Sequence, residues 1–217
     1  LHLAGGWGMT ETSPAGTNLL PDRPQAQGEI GVPLPGIEMD VVALDDPGLA
    51  LPPGEIGELR IRGPNVTPGY WRRPDETEAA FIGDWFLTGD VGRMDAAGVF
   101  TIVDRKKDMI ISGGFNVYPR AVEDAIHEHP DVQEAAVIGV PDPYRGQAAK
   151  AFVSLRDGAA PLTLDALRDF LADKLGKHEL PAGLEVRASL PHTPVGKLAK
   201  RDLIAAEAGR IGMEAGQ

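Results

Sequence analysis

Near residue 104 the hydrophobic pattern of the chain changes its period, and that change constrains the fold more than any single motif. Before it, Pro and Gly punctuate short runs in which apolar residues alternate, as over residues 38–44 and 58–62. A period of two puts Leu59 and Ile61 on one face of a strand, fed by the turn at Pro52, Pro53 and Gly54. Small strands joined by turns predict a barrel or sandwich piece. After residue 104, helical periodicity alternates with near-continuous apolar runs. Pro119 opens a helix carrying Val122, Ala125, Ile126 and His129 on one face, and Pro130 closes it. Thr163 caps another, with Leu164, Leu167, Phe170, Leu171 and Leu175, and Gly176 as its stop. Residues 134–140, 148–155 and 184–188 read as buried strands. The expected fold is α+β: a β-rich, barrel-like part over residues 1–104, then a small α+β domain over 105–217 with a three-stranded sheet and flanking helices. The Ala- and Gly-rich residues 204–217 are expected to fray.

Composition removes several function classes. Of 217 residues, 42% are apolar and 24% charged, the balance of an ordinary globular protein. A formal charge of -11 repels phosphate backbones, so no nucleic-acid partner is expected. The absence of cysteine excludes disulfides, thiolate metal sites and thioester chemistry on the protein's own sulfur. No apolar run approaches the roughly 18 residues of a membrane span, so no transmembrane segment is expected. A cytoplasmic location is the default, peripheral membrane contact stays open, and the sequence is silent on oligomeric state. The chain starts at Leu1 rather than Met and runs at once into Gly5 and Gly6, which reads as a fragment of a longer protein.

Five short stretches carry residues suited to chemistry. Trp7, Gly8, Thr10 and Glu11 place a ring, a hydroxyl and a carboxylate on a glycine-loosened backbone, able to stack on a base, meet a phosphate and hold Mg²⁺. A tight turn with a core Trp and a solvated Glu explains the same residues. Asp90, after Thr88 and Gly89, can accept both hydroxyls of a ribose, or simply close an Asx-type turn. Arg105, Lys106 and Lys107 form a basic cluster at the change of texture, suited to a hinge or to a charged hairpin. Gly113 and Gly114 allow close approach of a ligand, or an ordinary turn. Lys197 sits on a Pro- and Gly-rich loop from which it could clamp a phosphate or remain solvated.

In order and spacing, Gly8-Met9-Thr10-Glu11, Gly57-Glu58-Leu59, Gly69-Tyr70-Trp71, Thr88-Gly89-Asp90, Asp104-Arg105, Gly113-Gly114 and Pro194-Val195-Gly196-Lys197 together resemble the C-terminal core motifs of the adenylate-forming superfamily: acyl-CoA synthetases, luciferases and peptide-synthetase adenylation domains. The resemblance runs through nearly the whole chain. It implies the end of the large adenylate-binding domain followed by a mobile lid. By that resemblance Trp7 flanks the adenine, Gly8 belongs to the cofactor-binding residues, Thr10 meets the α-phosphate and Glu11 holds Mg²⁺. Asp90 takes the ribose hydroxyls, Arg105 the ribose, and Lys197 is the catalytic lysine. Lys107 matches the hinge, and the loop at Gly113 and Gly114 faces the pantetheine tunnel. The implied reaction joins a carboxylic acid to CoA through acyl-AMP with ATP and Mg²⁺, and a carrier-protein phosphopantetheine acceptor or a noncatalytic nucleotide-binding module are the alternatives. The stretch from Leu175 to Pro181 and the Thr12-Ser13-Pro14 context look like bacterial medium- or long-chain fatty-acid or dicarboxylate CoA ligases. Two features depart from the family: Trp7 stands where Tyr is usual, and the Ser/Thr/Gly-rich phosphate loop is missing. This chain alone is therefore expected to be inactive in adenylation.

Overall fold

The computed structural model describes residues 5–21, 24–194 and 196–214, with side chains described to residue 210. Residues 1–4, and Val195 of the Lys197 motif, lie outside the described residues. Contacts divide the chain into two compact units, Leu1–Lys107 and Asp108–Gln217. Among the described residues no helix is long and apolar enough to cross a membrane.

The first unit runs β1 (Thr17–Asn18), β2 (Glu29–Pro33), β3 (Glu38–Val42), β4 (Gly57–Arg62), α1 (Pro74–Ala80), β5 (Phe81–Ile82), β6 (Trp85–Met94) and β7 (Phe100–Arg105). These strands form one antiparallel sheet in the order β1-β2-β7-β6-β4-β3, with β5 beside β6. The alternation seen in the sequence holds: Leu59 and Ile61 are buried, and Leu59 joins Ile30, Val41 and Phe100 in the core. The short helix α1 was not anticipated. It has Pro74 in its first turn with Asp75 and Glu76, which suit the positive end of the helix, and it buries no side chain.

The second unit runs β8 (Ile110–Ser112), β9 (Phe115–Val117), α2 (Pro119–His127), β10 (Val132–Asp142), β11 (Gly146–Leu155), α3 (Leu164–Leu171), β12 (Gly183–Arg187) and α4 (Lys200–Glu214). The three expected strands are β10, β11 and β12, and the hairpin β8-β9 extends them to a five-stranded sheet. Gly113 and Gly114, both at positive φ, are the two-residue turn of that hairpin, so a strand separates them from α2. Thr163 does cap α3, its Oγ1 accepting from the Ala166 amide at 3.2 Å. His129 and Leu175 fall just beyond the ends of their helices.

Both faces of this sheet are covered, which explains its near-continuous apolar strands. Ala135 and Val137 pack in one cluster with Val122, Ile126, Leu167 and Leu171 from α2 and α3. Ala136 and Ile138, pointing the other way, pack with Phe152, Leu190 and Leu203. Leu203 belongs to α4, so the expected fraying from residue 204 is corrected: a helix continues to Glu214. It is anchored by fully buried Leu203 and, one turn on, by Glu207, which Lys150 reaches at 2.6 Å.

Candidate adenylate-binding site

Thr88-Gly89-Asp90 does not form a turn; it is a bulge within the ten-residue strand β6. Glu58 of β4 pairs with Val91 and Arg60 with Leu87, so β6 carries two extra residues over this interval. Gly89 absorbs them at φ 70°. Thr88 Oγ1 donates to the Leu59 carbonyl at 2.7 Å and accepts from the Asp90 amide at 3.1 Å. Glu58, itself buried, accepts from the Gly89 amide at 3.1 Å and from Lys106 Nζ at 2.7 Å. Each residue of the motif thus has a job in the bulge, and the bulge sets the direction of Asp90.

Asp90 is 2% exposed and its two oxygens are held separately. Arg105, its cross-strand partner on β7, brings Nε to 2.5 Å from Oδ1. Trp7 donates its indole Nε1 to Oδ2 at 2.9 Å. Two donors thus orient the Asp90 carboxylate, an acceptor group of the kind that vicinal hydroxyls need. Trp7 is fixed in turn by its amide on Thr17 Oγ1 at 3.1 Å, and its carbonyl accepts from Gly16 and Thr17. Gly16 must be glycine here, because a Cβ would lie 2.6 Å from the indole ring.

The loop that follows Trp7 is similarly constrained. At Gly8 a Cβ would fall 1.4 Å from the Pro14 carbonyl oxygen, so only glycine lets the loop close on itself. Thr12 Oγ1 accepts from the Met9 amide at 2.9 Å and donates to its carbonyl, which stabilises the 3₁₀ turn Thr10–Thr12. Thr10 is exposed on that turn. Asn65 donates to the Thr12 and Ala15 carbonyls, and the Thr67 amide to the Glu11 carbonyl. The Glu11 side chain accepts from the Tyr70 hydroxyl at 3.0 Å. Burial and this hydrogen bond raise the Tyr70 phenol above its ordinary value, so it remains a donor at neutral pH.

The structure therefore brings Trp7, Asp90 and Arg105 into direct contact, with Glu11 on the loop running out from Trp7. Sequence reasoning gave Glu58, Asn65, Tyr70 and Lys106 no individual role. Glu58 shares its alternate positions with Arg60 and Arg62 in β4, so the sequence pattern did not single it out. Lys107 is exposed on the turn Lys106–Asp108, where the first unit ends. Gly113, Gly114 and Lys197 belong to the second unit. Lys197 is exposed and closes a tight loop, its carbonyl accepting from the Thr193 amide at 2.7 Å and its amide donating to Thr193 Oγ1 at 3.1 Å. Among the described residues no group of three or more His, Asp or Glu could hold a metal. A single carboxylate such as Glu11 fits Mg²⁺ only as the cation arrives with a phosphate ligand and its own waters.

A curled antiparallel sheet with an aromatic, a buried carboxylate and an arginine at one bulge, followed by a small α+β unit, is the arrangement of an adenylate-forming enzyme. Residues 1–71 match the AMP-binding enzyme family and residues 121–197 match the AMP-binding enzyme C-terminal domain, and the chain belongs to this family. It is 42% identical over 205 residues to a long-chain-fatty-acid–CoA ligase of Bacillus subtilis, covering 94% of this chain and 36% of that protein. A 2-succinylbenzoate–CoA ligase of Geobacillus kaustophilus is 42% identical over 91% of this chain and 40% of its own length. Among solved structures, ATP-bound MatB from Rhodopseudomonas palustris superposes with a TM-score of 0.85 at 37% identity, over 93% of this chain and 40% of MatB. The o-succinylbenzoate CoA synthetase MenE of Bacillus subtilis, in complex with the acyl-adenylate OSB-AMP, gives 0.82 at 35% identity over 92% and 40% of the two chains. The chain thus spans about two fifths of the length of the relatives it matches.

Proposed function

We propose that the chain is the C-terminal portion of an ATP-dependent acyl-CoA ligase that activates a carboxylic acid as acyl-AMP and passes the acyl group to CoA. The observation that carries this reading is Asp90, buried and held between Trp7 and Arg105 in a family whose relatives include ATP- and acyl-adenylate-bound structures. In the first step a substrate carboxylate oxygen bonds to the α-phosphorus of ATP and the bond to the β-phosphate breaks, releasing pyrophosphate. In the second the CoA sulfur bonds to the acyl carbon, the bond to AMP breaks, and the thiol proton leaves to solvent.

Within that scheme Trp7 and Gly8 border the adenine, Asp90 accepts the ribose hydroxyls and Arg105 holds both Asp90 and the ribose. Thr10 donates to the α-phosphate. Glu11 would help to hold Mg²⁺, which would supply charge neutralisation at the phosphates. Lys197 would offset negative charge shared by the carboxylate and α-phosphate oxygens in the first step, as positioned cations do in such transfers. Lys107 is the hinge that lets the second unit present Lys197 for one step and the turn at Gly113 and Gly114 for the other. The names of the relatives support CoA as acceptor. An amide bond synthetase of Marinactinospora thermotolerans, 40% identical with a TM-score of 0.81, makes the acceptor a point to test.

The test uses the full-length protein. Lys197→Ala is expected to slow acyl-adenylate formation, read as pyrophosphate exchange, by about 100-fold or more while sparing thioester formation from supplied acyl-AMP. Equal losses in both steps refute the role of Lys197. A panel of carboxylic acids, assayed with and without CoA, identifies both acid and acceptor.

A further inference from the structure

The geometry points to Glu134 as a positioning residue for Lys197, acting through His192. The inference rests on the reading of Lys197 as the lysine of the adenylation step. The loop carrying Lys197 is closed internally by Thr193, whose carbonyl also accepts from the Gly196 amide at 2.8 Å, and by the bridge between His192 and Leu198. Below the bridge the Ala199 amide donates to the Pro191 carbonyl at 2.8 Å. Residues 191–193 and 197–199 are therefore tied to each other at the base of the loop, and where Lys197 points depends on how that base meets the sheet.

The base is held in three ways. Leu190 and Leu198 pack into the cluster around Ile138 and Phe152 on the α4 face of the sheet. Apolar packing is non-directional and leaves the loop free to tilt. After the loop, Lys200 pairs with Glu123 at 2.7 Å, and Glu123 of α2 also accepts from the Val137 amide at 2.6 Å. Before it, His192 Nε2 lies 2.8 Å from Glu134 Oε1 on β10. His192 Nδ1 is 2.9 Å from the Leu190 carbonyl, so each ring nitrogen has an acceptor within reach and the N–H of either tautomer finds a partner. Glu134 is steadied by Ser154 of β11, whose Oγ is 3.3 Å from Oε2. This chain of bonds joins the paired strands β10 and β11 to the residue five before Lys197, and it supplies the directional restraint that the leucines lack.

Exposure separates this role from a merely structural one. His192 and Glu134 are 36% and 29% exposed, so their pairing contributes little to global stability and its removal leaves the unit folded. A displacement of about 1 Å at a lysine that must reach two oxygens at once costs on the order of 100-fold in rate. The effect therefore belongs in one half-reaction and not in the melting temperature.

In the full-length protein, Glu134→Ala is expected to lower kcat of pyrophosphate exchange about tenfold or more, with KM for ATP little changed. Thioester formation from supplied acyl-AMP should stay within about twofold of the parent rate. Glu134→Gln, which keeps an acceptor oxygen for His192, should recover most of the loss. On a Lys197→Ala background, Glu134→Ala should have no further effect, since a residue that acts only by aiming the lysine has nothing left to aim. Equal loss in both half-reactions, additivity with Lys197→Ala, or no loss at all overturns the role of Glu134. If Lys197→Ala itself leaves pyrophosphate exchange intact, the reading of Lys197 fails, and the inference with it.

Discussion

The indole Nε1 of Trp7 donates to Oδ2 of Asp90 at 2.9 Å across 83 residues of chain. A Phe or Tyr ring at this position has no edge N–H, so the bond is a property of tryptophan. It links the side chain proposed to lie along the base to the one proposed to take the ribose, so that ring plane and carboxylate are set together before a nucleotide arrives. Groups held in their bound arrangement lower the ordering cost of binding.

Trp7→Phe should weaken AMP binding about five-fold, the equivalent of one hydrogen bond of about 1 kcal/mol. Trp7→Ala should weaken it further, by about 1–3 kcal/mol, because a base loses its stacking platform. Titration calorimetry measures both. Parent-like affinity of Trp7→Phe would mean that the bond to Asp90 plays no part in organising the site.

Glu58 ties the Gly89 amide of the bulge to Lys106 at the end of the first unit. Glu58→Ala leaves that amide without its partner and is expected to cost about 2–3 kcal/mol in urea unfolding of the first unit. Most of this comes from the buried side, since Lys106 is 37% exposed and its attraction is screened. AMP affinity should fall as well, because Asp90 follows Gly89 directly. A loss of stability without any change in AMP binding would separate the bulge from the site.

Glu207 of α4 is held below its ordinary carboxyl value of 4.5 by Arg210 first and then by Lys150. A carboxylate lowered in the folded state contributes stability that is complete above its unfolded-state value and is lost as pH falls through the folded-state one. Thermal unfolding of the second unit should therefore soften as pH drops from about 5 toward 3. Glu207→Gln should lower the melting temperature at pH 7 and flatten this part of the profile. An unchanged pH slope in Glu207→Gln would assign the acid sensitivity to other carboxylates.

The helix carrying Glu207 also shows where reading the sequence stopped. Its buried stripe among residues 200–210 consists of Leu203 and Glu207, one turn apart, so an acid occupies the place where a helical pattern needs an apolar residue. Its counter-charge, Lys150, is 57 residues away on β11. The need for a cover was nevertheless legible. Strands apolar on both faces require a layer on each side, and α2 and α3 serve only one of them. At the candidate site the chemistry-bearing types were legible as motifs, whereas the bulge that aims Asp90 was not, because Thr88-Gly89-Asp90 has the composition of an ordinary turn.

By itself, the sequence determined where periodicity changes, where turns and caps fall, and which faces of strands and helices are apolar. These are consequences of neighbours within a few residues and need no knowledge of the fold. Only the tertiary structure decided that Trp7 meets Asp90, that Glu58 braces the bulge, and that His192 rests on Glu134. Those pairings depend on strand register and on bonds between distant segments, which local preferences do not encode.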